Sequence, residues 1–271
     1  MLKGSMKHGY VLALAMFAVS CSPTSSPAAV YRASDSASLR TLLPKLAPGD
    51  TVDLGMAQMG DMFLRKGSVE KLNGVILRGG MFNTIRIDDA AGVTLDGGRV
   101  MMTVTAETKQ FTPAMVFYRP SRLTIRNYDI STDRTSGFRL GHAIRIDQRG
   151  GGSGVSVEDT RIHDISTGVM AQTVRDLVMR RVSTDNISAD SFFISHGTRV
   201  LLDSLNCGRY DGVGGMHPDC IQVDQLAGPT TDLVIRDLSV TQGASDFTQW
   251  VFAGMPGKFR HARWSITGTR G

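Results

Sequence analysis

One five-residue pattern, apolar-x-apolar-charged-turn, recurs along this 271-residue chain. It reads Val75-Ile76-Leu77-Arg78-Gly79, Val93-Thr94-Leu95-Asp96-Gly97, Leu123-Thr124-Ile125-Arg126-Asn127 and Val155-Ser156-Val157-Glu158-Asp159. It continues as Leu177-Val178-Met179-Arg180-Arg181, Val200-Leu201-Leu202-Asp203-Ser204 and Leu233-Val234-Ile235-Arg236-Asp237. A last copy reads Trp264-Ser265-Ile266-Thr267-Gly268. The first residues are 18, 30, 32, 22, 23, 33 and 31 positions apart. Alternation of period two marks a strand whose first and third residues are buried. A strand that returns with variable insertions predicts a parallel solenoid.

The fourth position alternates in sign, from Arg78 and Asp96 through Arg126, Glu158, Arg180 and Asp203 to Arg236. Equivalent residues of successive turns sit one strand spacing apart, so opposite charges pair there, and the ladder is structural. The fifth position is mostly Gly, Asn, Asp or Ser, residues that accept a sharp turn. A second strand follows, with inward pairs Tyr128/Ile130, Thr160/Ile162, Val182/Thr184, Leu205/Cys207 and Leu238/Val240. A third precedes the next repeat, at 143–147, 168–172, 191–195, 220–224 and 250–254. The expectation is an all-β chain: one right-handed parallel β-helix with three strands per turn, its hand set by the crossover preference. Its 30 glycines and 7% aromatic residues suit such a turn-rich coil.

Residues 1–21 read as a signal peptide, with Lys3, Lys7 and His8 before a short apolar run from Tyr10 to Val19. Ala18-Val19-Ser20-Cys21 matches a bacterial lipobox with Ala in place of the usual Leu, which makes Cys21 the lipidation site. Residues 22–29 are then a flexible tether and 30–271 the β domain. The expected location is the periplasmic side of the outer membrane or the cell surface, with the membrane met only through the lipid. The alternative is a secreted protein cut near Ala28. Without Lys3 and Lys7 the net charge falls from +5 to +3, which argues against a nucleic-acid partner and leaves acidic substrates open. Of the three cysteines, Cys207 and Cys220 remain. Cys207 faces the core and Cys220 the edge of another strand, so they are expected to stay unbridged. The pattern reaches Gly271 without a C-terminal cap, as in a fragment or a coil whose end meets a partner. Nothing in the sequence fixes the oligomeric state.

Residues Leu39 to Gly55 form an amphipathic stretch, then Pro48-Gly49-Asp50-Thr51 and a strand. This resembles the N-terminal cap of pectate-lyase-like β-helix proteins, polysaccharide lyases of the chondroitinase B and alginate lyase type. The resemblance runs from about Val30 to the end. It implies a short capping helix, a right-handed β-helix and a groove for extended glycans between long loops. The same coil carries lyases, hydrolases, epimerases and phage tailspikes. Polygalacturonases carry Asn-Thr-Asp-Gly and Gly-His-Gly motifs. Here Asp190-Ser191 and Ser195-His196-Gly197 depart from both.

The long connections are 103–121, 131–142, 208–219 and 241–249. The third is Gly-rich and carries Tyr210, Asp211, His217 and Asp219. Stacking the third strands aligns His142, Thr167, Asp190, Asp219 and Gln249 just before each one. Asp190 and Asp219 then fall on adjacent turns. Two carboxylates that close share a proton or bind a cation. Sharing suits acid/base work. A cation, Ca²⁺ for hard oxygen ligands, suits a lyase that neutralises a uronate carboxylate. The predicted catalytic residues are Asp190, Asp219 and His217. The substrate contacts are Arg145, Asp211, Tyr210, Gln222 and His196, and the cation ligands Asp190, Asp219 and Asp224. Arg145 or Arg209 is a further candidate base. Met170, Phe193 and Phe252 are sugar platforms or are covered by a loop. His142 and His163 find no partner in this reading. The expected function is an exported enzyme on an acidic polysaccharide, by β-elimination. The alternatives are a non-catalytic surface glycan-binding or scaffold lipoprotein, and a hydrolase or C5-epimerase on the same fold.

Overall fold

Alternating apolar residues build almost the whole molecule. The computed structural model describes residues 27–65, 67–109, 111–133, 140–210, 218–224, 228–241, 249–254 and 264–267. Signal-peptide, tether and Cys21 assignments up to residue 26 lie outside them. The described residues form 18 strands joined in one sheet by parallel pairing, with one short α-helix. The chain is all-β and solenoid-like.

The recurrent pentapeptides stack in a first series of parallel pairs. Thr94 faces Ile76 and Thr124, Val155 faces Leu123 and Leu177, and Val200 faces Leu177 and Leu233. The final copy, Trp264–Thr267, pairs with Thr231–Arg236. The first and third residues of the seven copies from Val75 to Ile235 are each at most 1% exposed. Burying these Val, Leu, Ile and Met side chains is the main stabilising term, about 2 kcal/mol each. A second series aligns Ile130, Ile162, Thr184, Cys207 and Val240, all buried as expected.

A third series aligns Ile85, Met115, Ile144, Val169, Phe192, Ile221 and Val251. Its early members correct the sequence reading. The segment 103–121 is not one connection, because Pro113–Tyr118 is a strand between Ile76–Asp88 and His142–Asp147. Ala114, Met115, Val116 and Phe117 are all buried, so the run lacks the alternation that marks a half-buried strand.

The fifth position of the pentapeptide is where the backbone turns. Gly79, Gly97, Asn127, Asp159, Arg181, Ser204 and Asp237 all have positive φ, from 48° to 80°. At Gly79 a Cβ would also lie 2.5 Å from the Gly55 carbonyl oxygen, so glycine is required. Arg181 is the costly member, and its guanidinium bonds both Asp159 oxygens, at 2.6 and 2.8 Å. The fourth-position ladder pairs Asp96 with Arg126 (2.9 Å) and Arg78 (3.9 Å), and Asp203 with Arg180 (3.0 Å) and Arg236 (2.8 Å). Glu158 breaks it by accepting from Ser156 on its own strand.

The helix Ser36–Leu42 begins in a capping box. Asp35 accepts from the Ser38 N–H at 2.7 Å, and the Ser38 hydroxyl accepts from the Asp35 N–H at 3.1 Å. Leu39 and Leu43 are buried where the helix packs on the strand Thr51–Leu64, so it caps one end of the sheet. No helix among the described residues is long and apolar enough to cross a membrane.

Candidate functional site

The third series brings the two predicted carboxylates together. Asp219 opens the strand Asp219–Asp224, and Asp190 lies two residues before the strand Phe192–Asp203. The backbone ladder continues between them, with Ser191 N–H donating to the Asp219 carbonyl at 2.9 Å. The Asp219 N–H donates to Asp190 Oδ1 at 3.2 Å. Gln222, three residues along, sets its side-chain amide against the same carboxyl, 2.6 Å from Oδ2 and 3.3 Å from Oδ1. Asp219 is buried at 2% exposure.

Burial and the neighbouring Asp219 carboxylate push the Asp190 pKa from 3.8 to about 7, against the pull of the Asp219 N–H. Asp190 therefore carries its proton close to neutrality. A proton that leaves near neutral pH is what general acid/base chemistry needs.

Tyr210 lies beneath this pair. It is buried, and its hydroxyl bonds Ser191 Oγ at 2.7 Å, which bonds Thr184 Oγ1 at 2.8 Å. Burial holds its phenol pKa well above the usual value. Tyr210 therefore braces the turn that carries Asp190 and Ser191. Next to Asp219, Cys220 is bonded to Cys207, with Cα atoms 5.7 Å apart. This corrects the expectation of two unbridged thiols. The corner turns Ala143, Ser191 and Cys220 inward, each 0% exposed, so Cys220 meets the core-facing Cys207 across it.

Other predicted residues lie apart. Arg145 is half-buried and donates to Gln172 Oε1 at 3.2 Å. Burial of the His142 ring, and after it the Arg145 charge, hold the His142 pKa down to about 4. His142 is 1% exposed, neither ring nitrogen has a partner among the described residues, and its ring sits edge-on to Phe111 at 5.4 Å. Arg209 is held on Asp185 at 2.9 and 3.1 Å. His196 lies within the strand Phe192–Asp203, at a bend where its φ is 55°. Asp224 faces Ser195 there, five residues from Asp219, or roughly 16 Å along an extended chain. The proposed grouping of Asp224 with Asp190 and Asp219 around a cation is therefore not formed. Among the described residues no three His, Cys, Asp or Glu gather to hold a metal. The remaining pair offers two side chains where Ca²⁺ takes six to eight oxygens. His217 and Asp211 lie outside the described residues.

One cluster escaped the sequence reading. His163, expected to lack a partner, bridges Asp164 (Nδ1, 2.6 Å) and Asp129 (Nε2, 3.0 Å). The register puts Asp129 beside Arg161 and His163 beside Asp185, so neither bond of His163 follows from stacking the second strands.

Comparison with protein-family models, curated proteins and solved structures returns no match for this chain.

Proposed function

We propose that the solenoid is a right-handed parallel β-helix with three strands per turn, and that it is an exported enzyme acting on an acidic polysaccharide. One observation carries the enzymatic reading: Asp190, a carboxyl beside a second buried carboxyl, keeps its proton to about pH 7. The backbone bond from Asp219 N–H to Asp190 Oδ1 gives the pair a structural part, but a second carboxyl beside it adds desolvation and repulsion that turn capping does not require.

β-Elimination is the chemistry we assign. A base removes the proton α to the uronate carboxylate, a C=C bond forms, and the C–O bond β to the carboxylate breaks. Protonated Asp190 then gives its proton to the leaving oxygen. Asp219 holds the proton on Asp190 by repulsion, and Gln222 orients the carboxyl. His217 is the proposed base, and Arg145, three strands along the column that holds Gln222, supplies positive charge to a uronate of an extended chain. No step is assigned to Ca²⁺.

The test is a screen against alginate, pectate, glucuronan and glycosaminoglycans, with and without Ca²⁺. It follows ultraviolet absorbance of unsaturated uronate together with reducing ends. Both rising means a lyase. Reducing ends alone mean a hydrolase on the same site. Neither signal, on any polymer, removes the enzymatic reading. The second reading is a surface lipoprotein that binds glycans without turnover. It draws on the outward column of Met170, Phe193, Gln222 and Phe252, half-buried and continuous across adjacent strands.

A further inference from the structure

A cavity of about 210 Å³ opens at the other end of the third-series strands. His196 lines it and lies six residues from Asp190, roughly 20 Å along an extended chain. It is therefore separate from the carboxyl pair.

Its floor is fixed. The Gln148 side chain is buried and tied at both ends, donating to the Pro120 carbonyl at 3.1 Å and accepting from the Arg175 N–H at 2.6 Å. One wall is Gly150, Gly151 and Gly152, with φ of 83°, 143° and 98°. A Cβ on Gly152 would meet the Pro120 oxygen at 2.2 Å, whereas one on Gly151 would point into open space. This wall has no side chains, and a ligand there meets bare backbone. The remaining lining residues are Thr173, Val174, Arg175, His196 and Thr198, four of them able to hydrogen-bond.

The charge is one-sided. Among the described residues no carboxylate lines the cavity. Arg175 is exposed, and its neighbour Asp176 is occupied by Arg199 on both oxygens, at 2.5 and 3.0 Å. A planar guanidinium without a carboxylate partner matches a carboxylate bidentately. The hydroxyls, imidazole and backbone around it match a ring bearing several hydroxyl groups. The volume is below that of drug-sized pockets and suits one sugar ring.

We infer that this cavity is a second glycan site that holds one uronate unit, its carboxylate on Arg175 and its hydroxyls on His196, Thr173 and Thr198. The site goes beyond the reaction proposed above and does not depend on it.

The test is calorimetric titration of the full chain with glucuronate, with glucose as neutral analogue and inorganic sulfate as simple anion. Glucuronate is expected to bind in the millimolar range. Arg175→Glu is expected to weaken it at least about tenfold, and glucose to bind at least about tenfold more weakly, since one charge-assisted bidentate contact is worth more than about 1.4 kcal/mol. His196→Asn, which tolerates positive φ, is expected to weaken glucuronate with the fold retained by circular dichroism. The heat lost in Arg175→Glu is expected to be the same in wild type and in an Asp190→Asn background, which separates this site from the acid/base pair. The inference is overturned by no heat with glucuronate, by equal binding to Arg175→Glu, or by sulfate binding as tightly as the sugar acid.

Discussion

Asp190 and Asp203 are two aspartates with opposite fates, and their surroundings decide which. Asp203 is gripped by Arg236 and Arg180, which hold its pKa down to about 2. Its stabilisation is complete above the usual 3.8 and is lost as pH falls through about 2. Thermal melts of Asp203→Asn should therefore lie below wild type at neutral pH and converge with it in strong acid. Asp190 runs the other way. Unfolded it ionises near 3.8, and folded it keeps its proton to about 7. Between those values the unfolded chain holds fewer protons, so stability falls with rising pH and levels off above about 7. Asp190→Asn removes that fall. Relative to wild type it should gain up to about 4 kcal/mol between about pH 4 and pH 8, read by urea unfolding. A constant offset would show that Asp190 is ionised throughout. The same substitution should cost turnover about 10²–10⁴-fold, as loss of a general acid does. The pairing of Asp190 with Asp219 was legible in the sequence, because one residue per repeat fell in one column. Gln222 also carried a signal, being outward on the next strand. Its bond to Asp190 depended on side-chain direction, which the register alone does not set.

At the scale of elements, the disulfide and the helix cap are the two devices that tie strands into place. The Cys207–Cys220 bond closes a loop of 13 residues and ends beside Asp219. Cys207→Ser/Cys220→Ser is expected to lose about 3 kcal/mol of stability in chemical unfolding, the chain-entropy value for a loop of this size. Titration of the unfolded, unreduced protein should find no free thiol from this pair. Two free thiols would show that the bond does not form. The sequence reading missed it because it treated Cys220 as a strand residue of fixed parity. At a corner the chain turns, and the residue after Asp219 faces inward. The strand Pro113–Tyr118 was missed for a related reason: both of its faces are covered, and a strand buried on two sides carries no alternation.

At the scale of the whole molecule, a stack of parallel strands touches mainly its neighbours, so its ends carry unusual weight. The helix Ser36–Leu42 covers one end through Leu39, 3% exposed. Leu39→Ala is expected to cost about 2–5 kcal/mol in urea unfolding. Leu39→Asp should promote association seen by light scattering, because it uncovers apolar core at that end. If Leu39→Asp stays monodisperse and stable, the helix does not act as a cap. The sequence by itself determined the strands of the first two series, their buried faces, the turn column and most of the charge ladder. These follow from short-range rules: alternation chooses the face, small or Asx residues accept positive φ, and fixed repeats place like positions side by side. Only the tertiary structure decided what crosses a corner or depends on burial. The disulfide, the bridging of His163 and the separation of Asp224 from Asp219 come from how far strands run and where they bend. The proton on Asp190 comes from its burial beside a second carboxylate, and no local pattern encodes that environment.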